Sequence, residues 1–461
     1  MSMAWLIPFD VSVFFVLIVL LRSQFPSYVN YATMFVGVWV FIISVSRLGF
    51  YETYVPSHLT YGIMYLTLFV FVLTTYCLRA YERKRPESPA QRRPTRELDL
   101  SQVRYSPLIL IVLATSALLA TYLPDALSIL ATGGFSSVRH NVLYSETSTY
   151  TSSSLVLLKW AINPLILAEF LIASTAIVLK KTPRSKAGPV FLLILCCCNL
   201  AMYTLIFAGR WLLMEAMLSL AVLLFHQYGL RLWELMRRNK AITVVGVLAV
   251  VAILSISGDR TIGETDVLTS IYVYFAGTVD MLNVLISDPS HSQLGNVLFG
   301  AYTLDGLLSP FYVVANRLLG THIPIAITEI NAVSSAMVNI SPTLHMNNNC
   351  TYVYGVLRDF GAAGLLIGPA FLAVVCQKIH SYYERSGSDY GLMLYTYMVV
   401  ILFFMIIEWM FGRVNVVYTG IFLYMLMRFC CVGGGLAKGA VPAPRRRPAP
   451  VRHLNPGRLN G

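Results

Sequence analysis

The residues best equipped for chemistry are arginines in short polar stretches between long apolar runs: Arg47, Arg139, Arg210, Arg260, Arg317 and Arg413. Arg358 and Lys159 lie just inside the neighbouring runs. Arginine offers a planar, permanently charged fork of five donors that can grip a phosphate at two points. Arg139, Arg210, Arg260, Arg317 and Arg358 are therefore read as a set that converges on a pyrophosphate-like anion. The competing reading for each arginine alone is an interfacial anchor or a local ion pair. Arg210 stands in a tight Phe207-Ala208-Gly209-Arg210-Trp211 hairpin, which would hold its side chain at the rim of a helical bundle.

A second constellation runs His345-Met346-Asn347-Asn348-Asn349-Cys350-Thr351-Tyr352-Val353-Tyr354, followed by Arg358-Asp359-Phe360-Gly361, Gly364 and Gly368. Tyr354 and Arg358 share a helix face at i, i+4. His345, Asn347, Asn348, Asn349 and Tyr354 mix donors with acceptors, as sugar hydroxyls require. The same asparagines could also cap a helix that begins at Thr351. Gly361, Gly364 and Gly368 permit close helix approach. A base for a hydroxyl nucleophile would come from the acids Glu146, Asp259, Glu264, Asp266, Asp280, Asp305, Glu329 and Glu408 or from a histidine, His140 and His345 being best placed; the alternative is no base at all, since a diphosphate is already a good leaving group. There is no phosphate-binding Walker loop, GxSxG, HExxH or EF-hand pattern, and the eight cysteines lack zinc spacing. No metal and no cofactor is expected.

These residues are positioned by apolar helices. Hydrophobic residues make up 57% of the 461, charged residues only 12%, and the mean hydropathy is +0.67. A soluble domain carries about twice that charge. Runs long enough to span a bilayer fall at 4–21, 30–46, 60–78, 107–124, 154–179, 189–207, 211–229, 241–256, 351–376, 390–409 and 415–431. The fold class is thus an all-α polytopic membrane protein with about eleven transmembrane helices. It would have thirteen if the helical patterns at 267–286 and 297–319 form another pair of spans rather than re-entrant or interfacial helices.

The net charge of +12 is explained by orientation rather than by nucleic acid. With 79–106 placed in the cytoplasm, 26 of the 34 basic residues fall inside and six outside; Lys159 and Arg358 lie within spans. Cytoplasmic loops of membrane proteins are enriched in this way. The N-terminus is then external and the C-terminus cytoplasmic. Residues 1–431 form the membrane domain, with external loops at 125–153 and 257–350. The Gly-, Pro- and Arg-rich stretch 432–461 reads as a disordered basic tail against anionic headgroups.

The spans, the central Gly-Arg hairpin, the arginine-bearing external loop, the long late loop and the Asn-rich to Arg-Asp-Phe-Gly-x-x-Gly segment together resemble the oligosaccharide repeat unit polymerases of O-antigen and capsule synthesis. The resemblance implies a GT-C-like fold in the bacterial inner membrane and metal-independent, inverting glycosyl transfer at the periplasmic face. Donor and acceptor would be oligosaccharides on undecaprenyl diphosphate. Arg210 and Arg139 would hold diphosphate, with Arg260, Arg317 and Arg358 as further candidates. His345, Asn347, Asn348, Asn349, His140, Tyr354 and Asp359 would order or activate the acceptor. Implied partners are membrane lipid and a polysaccharide chain-length regulator. The competing expectations are an O-antigen ligase, a flippase for the same lipid, and a membrane scaffold without activity.

Overall fold

The structure is a computed structural model. It describes residues 3–25, 27, 30–84, 98–143, 152–180, 187–232, 234, 237, 267–288, 292–346 and 350–431. The expected span 241–256, Arg260, Asn347–Asn349 and the tail 432–461 lie outside the described residues.

The chain is an all-α, multi-pass membrane protein. Eight of its described helices are long and apolar enough to cross a bilayer, and three shorter apolar helices accompany them. In order, the helices are α1 (Ile7–Arg22), α2 (Tyr31–Ser46), α3 (His58–Lys84), α4 (Tyr105–Leu143), α5 (Ser152–Leu157), α6 (Asn163–Val178), α7 (Ala187–Phe207) and α8 (Trp211–Tyr228). They continue with α9 (Val267–Ser287), α10 (Ala301–Leu319), α11 (Ala326–Ser334), α12 (Thr351–Phe360), α13 (Gly364–Ser386), α14 (Asp389–Phe404) and α15 (Val414–Cys430). Two-residue strands β1 (Val338–Asn339) and β2 (His345–Met346) form a small antiparallel hairpin. Large apolar side chains such as Phe15, Val19, Phe69, Leu110, Ile194, Ile367 and Phe429 point outward. In water such a surface would drive association; in hydrocarbon it is the solvated face.

Two sequence expectations change, and the helical patterns expected within the late loop are found as helices. Residues 125–143 are not loop but the continuation of α4, interrupted at Gly134 (φ 71°, ψ −175°). Their apolar residues recur at helical spacing, Ile129 and Leu130, then Phe135, Val138 and Val142, and pack against the core. Residues 257–350 contain α9, α10, α11 and the hairpin, so the helical patterns at 267–286 and 297–319 do form helices. Only α9 of this pair is among the candidate spans. α10 turns Tyr302, Asp305 and Ser309 inward and Leu304, Leu307, Phe311 and Leu318 outward.

The second change concerns 351–376, which is not one straight crossing. In a continuous helix Val356 and Gly368 would be about 18 Å apart. A Cβ on Gly368 would instead lie 2.4 Å from Val356 Cγ1, and one on Gly364 would lie 2.0 Å from the Val356 carbonyl oxygen. α12 therefore folds back on α13. The reversal is made at Gly361 (φ 59°), a conformation that glycine adopts without steric cost.

Candidate functional site

The site is built around the turn between α7 and α8. Ala208 takes a left-handed conformation (φ 44°), and Gly209 N–H donates to the Thr204 carbonyl at 3.2 Å. This tight reversal leaves Arg210 at the start of α8, half-buried. Its guanidinium lies 5.2 Å from the centroid of the Tyr274 ring on α9. Burial lowers the pKa of Arg210, Tyr274 opposes the shift, and the charge of Arg139 lowers it further. Arginine stays protonated regardless. Among the described residues, the charge of Arg139 thus acts on Arg210. α4 packs along α7 and carries Arg139 beyond its break at Gly134. His140 follows on the exposed side.

Helix α9 links this turn to the hairpin. Three residues beyond Tyr274, Gly277 meets the Met346 side chain; a Cβ there would lie 2.5 Å from its sulfur. Met346 is the neighbour of His345, whose ring is exposed. His345 Nδ1 and Asn339 Oδ1 are 2.5 Å apart. An amide oxygen only accepts; with Nδ1 donating to it, the neutral ring would present Nε2 as an acceptor.

Close to the α7–α8 turn lies a further cation, Lys159. Lys159 sits in a π-helical segment, Leu158–Ile162, between α5 and α6. Pro164 removes the N–H that would bond the carbonyl of residue 160, and Asn163 N–H reaches back to the Leu158 carbonyl. The ammonium stands 5.9 Å from the Phe207 ring centroid and interacts electrostatically with Arg413. Arg413 lies in the 405–413 connector between α14 and α15. Its Nε donates to Glu408 Oε1 at 2.7 Å, its Nη2 donates to Glu408 Oε2, and Nη2 reaches Asn331 Oδ1 at 3.3 Å. The connector is held by the start of α12: Cys350 N–H and Tyr352 N–H donate to the Ile407 and Met405 carbonyls at 2.9 and 2.8 Å. Trp409 locks against Gly355 and donates to Thr303 Oγ1 at 2.8 Å. Glu215 lies one turn after Trp211, which packs on Phe404 at 4.5 Å, and interacts with Glu408.

Three expected site residues have other work. Arg358 is fully buried; it donates to the Gln293 carbonyl and reaches Glu329 at 3.4 Å. Asp359 is fully buried and accepts from Tyr302 N–H at 2.9 Å, Thr303 N–H at 2.8 Å and Thr303 Oγ1 at 2.5 Å. It caps α10 from another helix, since the first turn of a helix has unsatisfied donors. Buried Tyr354 donates to the Ser292 carbonyl at 2.9 Å. None of the three is open to a ligand. Arg47 likewise pairs with Asp10 at 2.8 Å and lies over Tyr61. Arg317 is exposed and donates to Ser153 Oγ at 2.7 Å, on the helix that leads to Lys159. Among the described residues no cluster of His, Cys, Asp and Glu is arranged to hold a metal ion.

Comparison with protein-family models, curated proteins and solved structures found no match to this chain.

Proposed function

We propose that this protein polymerises undecaprenyl-diphosphate-linked oligosaccharide repeat units at the periplasmic face of a bacterial inner membrane. The observation that carries the reading is Arg210, half-buried at the α7–α8 turn beside the Tyr274 ring, with the charge of Arg139 acting on it. Like charges held together repel, and an anion between them relieves the repulsion. A diphosphate leaving group fits two guanidinium forks. The acceptor hydroxyl attacks the anomeric carbon with inversion, the bond to diphosphate oxygen breaks, and His345 Nε2 takes the hydroxyl proton. Arg139 and Arg210 stabilise the charge that develops on the departing diphosphate, so the step proceeds without a metal.

The finer architecture belongs to the same proposal. It comprises a GT-C-like bundle of eleven or thirteen crossings, an external N-terminus, a cytoplasmic C-terminus and a chain-length regulator as partner. Arg260 and Asn347–Asn349 would complete the substrate contacts.

The test is a strain lacking the gene, complemented with wild type or Arg210→Ala, with the surface polysaccharide resolved on a gel. The expected result is a single repeat unit in the deletion, a ladder with wild type, and no ladder with Arg210→Ala at equal protein level. Loss of even the single unit would point to transport or ligation. An unchanged ladder in the deletion would remove the polymerase reading for that glycan.

A further inference from the structure

Helix α10 has two opposed faces. Tyr302, Asp305, Gly306 and Ser309 turn inward and are buried. Between Ala301 and Asn316 every exposed residue is apolar: Ala301, Leu304, Leu307, Phe311 and Val314. The last four are 43–62% exposed and recur at spacings of three and four, so they form one stripe. Both ends of α10 are tied to the same end of the bundle. At its start, Tyr302 N–H and Thr303 N–H donate to Asp359, beside the reversal at Gly361 that opens α13. The far end of α13 meets the far end of α8, where Tyr383 Oη and His226 Nε2 are 2.8 Å apart. The start of α13 therefore lies at the Arg210 end. At the other end of α10, Arg317 donates to Ser153 Oγ, where the α5–α6 span begins. Lys159, a turn and a half further on, lies by Phe207 in the α7–α8 turn. α10 thus runs along the Arg210 end of the bundle instead of crossing to the other side.

The middle of α10 lies over the 405–413 connector. A Cβ on Gly306 would be 2.0 Å from the Phe411 carbonyl oxygen, and the Tyr418 hydroxyl on α15 reaches the Leu307 carbonyl at 3.4 Å. The Phe411 ring packs on Phe371 at 5.5 Å, and Phe371 is seven residues, about 10 Å, into α13. The connector is thus backbone outside any α-helix and below the membrane surface. Such backbone persists at that depth only where protein covers it or water reaches it.

We propose that α10 is a membrane-embedded cover. Its inward face shields the connector, and its apolar stripe is solvated by the acyl chains of the leaflet on the Arg210 side. The stripe continues a lipid-facing surface, since Leu366, Ile367 and Phe371 of α13 point outward and Phe371 touches the connector. An amphipathic helix held this way sits about 5–10 Å into the headgroup and acyl boundary. The first charge on its exposed face is Arg317, near its end, whose long stem lets the guanidinium reach the headgroups. The segment between α9 and α12 is then partly a membrane element and not an aqueous loop, whatever reaction the protein carries out.

The experiment uses the full chain, without native cysteines, in phosphatidylcholine nanodiscs. A nitroxide is attached in turn at Leu304→Cys, Leu307→Cys, Phe311→Cys and Val314→Cys. Its collisions with oxygen, which partitions into lipid, are compared with those of a water-soluble nickel chelate. Oxygen should prevail at all four positions, as at Leu110→Cys on the outward face of α4. Prevalence of the nickel chelate would place α10 in water and overturn the proposal. Exclusion of both reagents would assign the stripe to a second copy of the chain and overturn it as well. A second measurement needs no substitution. Wild type in discs that contain phosphatidylcholine with a photoreactive acyl chain should carry label within 301–319 after illumination. Label on α4 without label on 301–319 would reject the cover.

Discussion

At the scale of single residues, burial separates arginines of the same sequence type. Arg210 and Arg139 are half-buried and share one region; Arg358 is sealed and engaged. Arg210→Ala should therefore reduce turnover by about 10²–10³, the usual loss for one preorganised donor to a developing anion, with melting behaviour unchanged. Arg210→Lys should recover part of the rate, because it restores charge without the fork. Arg358→Ala should behave the other way. It opens a cavity and strands the Gln293 carbonyl, at a cost of about 2–3 kcal/mol, while activity per folded molecule is retained. Paired thermal unfolding and in vitro polymerisation assays separate the two patterns. His345→Gln should lower the rate by about 10²–10³ with little change in lipid-diphosphate affinity, as befits a proton acceptor.

At the scale of elements, two aspartates in α10 and α12 work as remote caps. Asp359 holds the start of α10, and Asp305 accepts from Ile327 N–H at 2.6 Å at the start of α11. Asp359→Ala should cost about 1–3 kcal/mol, read as a lower melting temperature and a loosened α10 by hydrogen exchange. Burial pushes the Asp305 carboxyl up from 3.8 to about 6, against opposing backbone hydrogen bonds. The folded state thus holds this proton more tightly than the unfolded chain. Its contribution is fully present below pH 4 and is lost as pH rises through about 6. The melting temperature should carry a falling component across that window, and Asp305→Asn should remove it. The α12–α13 hairpin is equally specific. Gly364→Ala would place a methyl group 2.0 Å from the Val356 carbonyl oxygen, so the two helices must separate, at about 1–3 kcal/mol.

At the scale of the whole molecule, every cation of the site stands near the turn between α7 and α8 or on helices packed around it. The proposed orientation puts this end in the periplasm. In a background without native cysteines, an impermeant thiol reagent added to intact spheroplasts should label Ser136→Cys. It should label Lys84→Cys only after the membrane is opened. The reverse pattern would place the arginine end in the cytoplasm and remove the periplasmic reaction with it.

The membrane class and most helix positions were legible in the sequence, because an apolar run must pair its backbone internally wherever lipid surrounds it. Ten of the described apolar helices correspond to runs identified by composition alone, and α9 to a pattern noted within the late loop. The Gly-Arg turn was also foreseeable, since polar residues between spans collect at helix ends. The continuation of α4 past Pro124 was missed because Gly133-Gly134 reads locally as a break. The fold-back at Gly361 was missed because an apolar run looks the same whether it goes straight or reverses. Tyr354, Arg358 and Asp359 carry the residue types of a site, but their partners at Ser292, Gln293, Tyr302 and Thr303 are more than fifty residues away in the chain. Sequence specifies which groups are charged and which segments are apolar. Which charges are neutralised within the fold and which remain for a ligand depends on long-range contacts, and those only the tertiary structure decides.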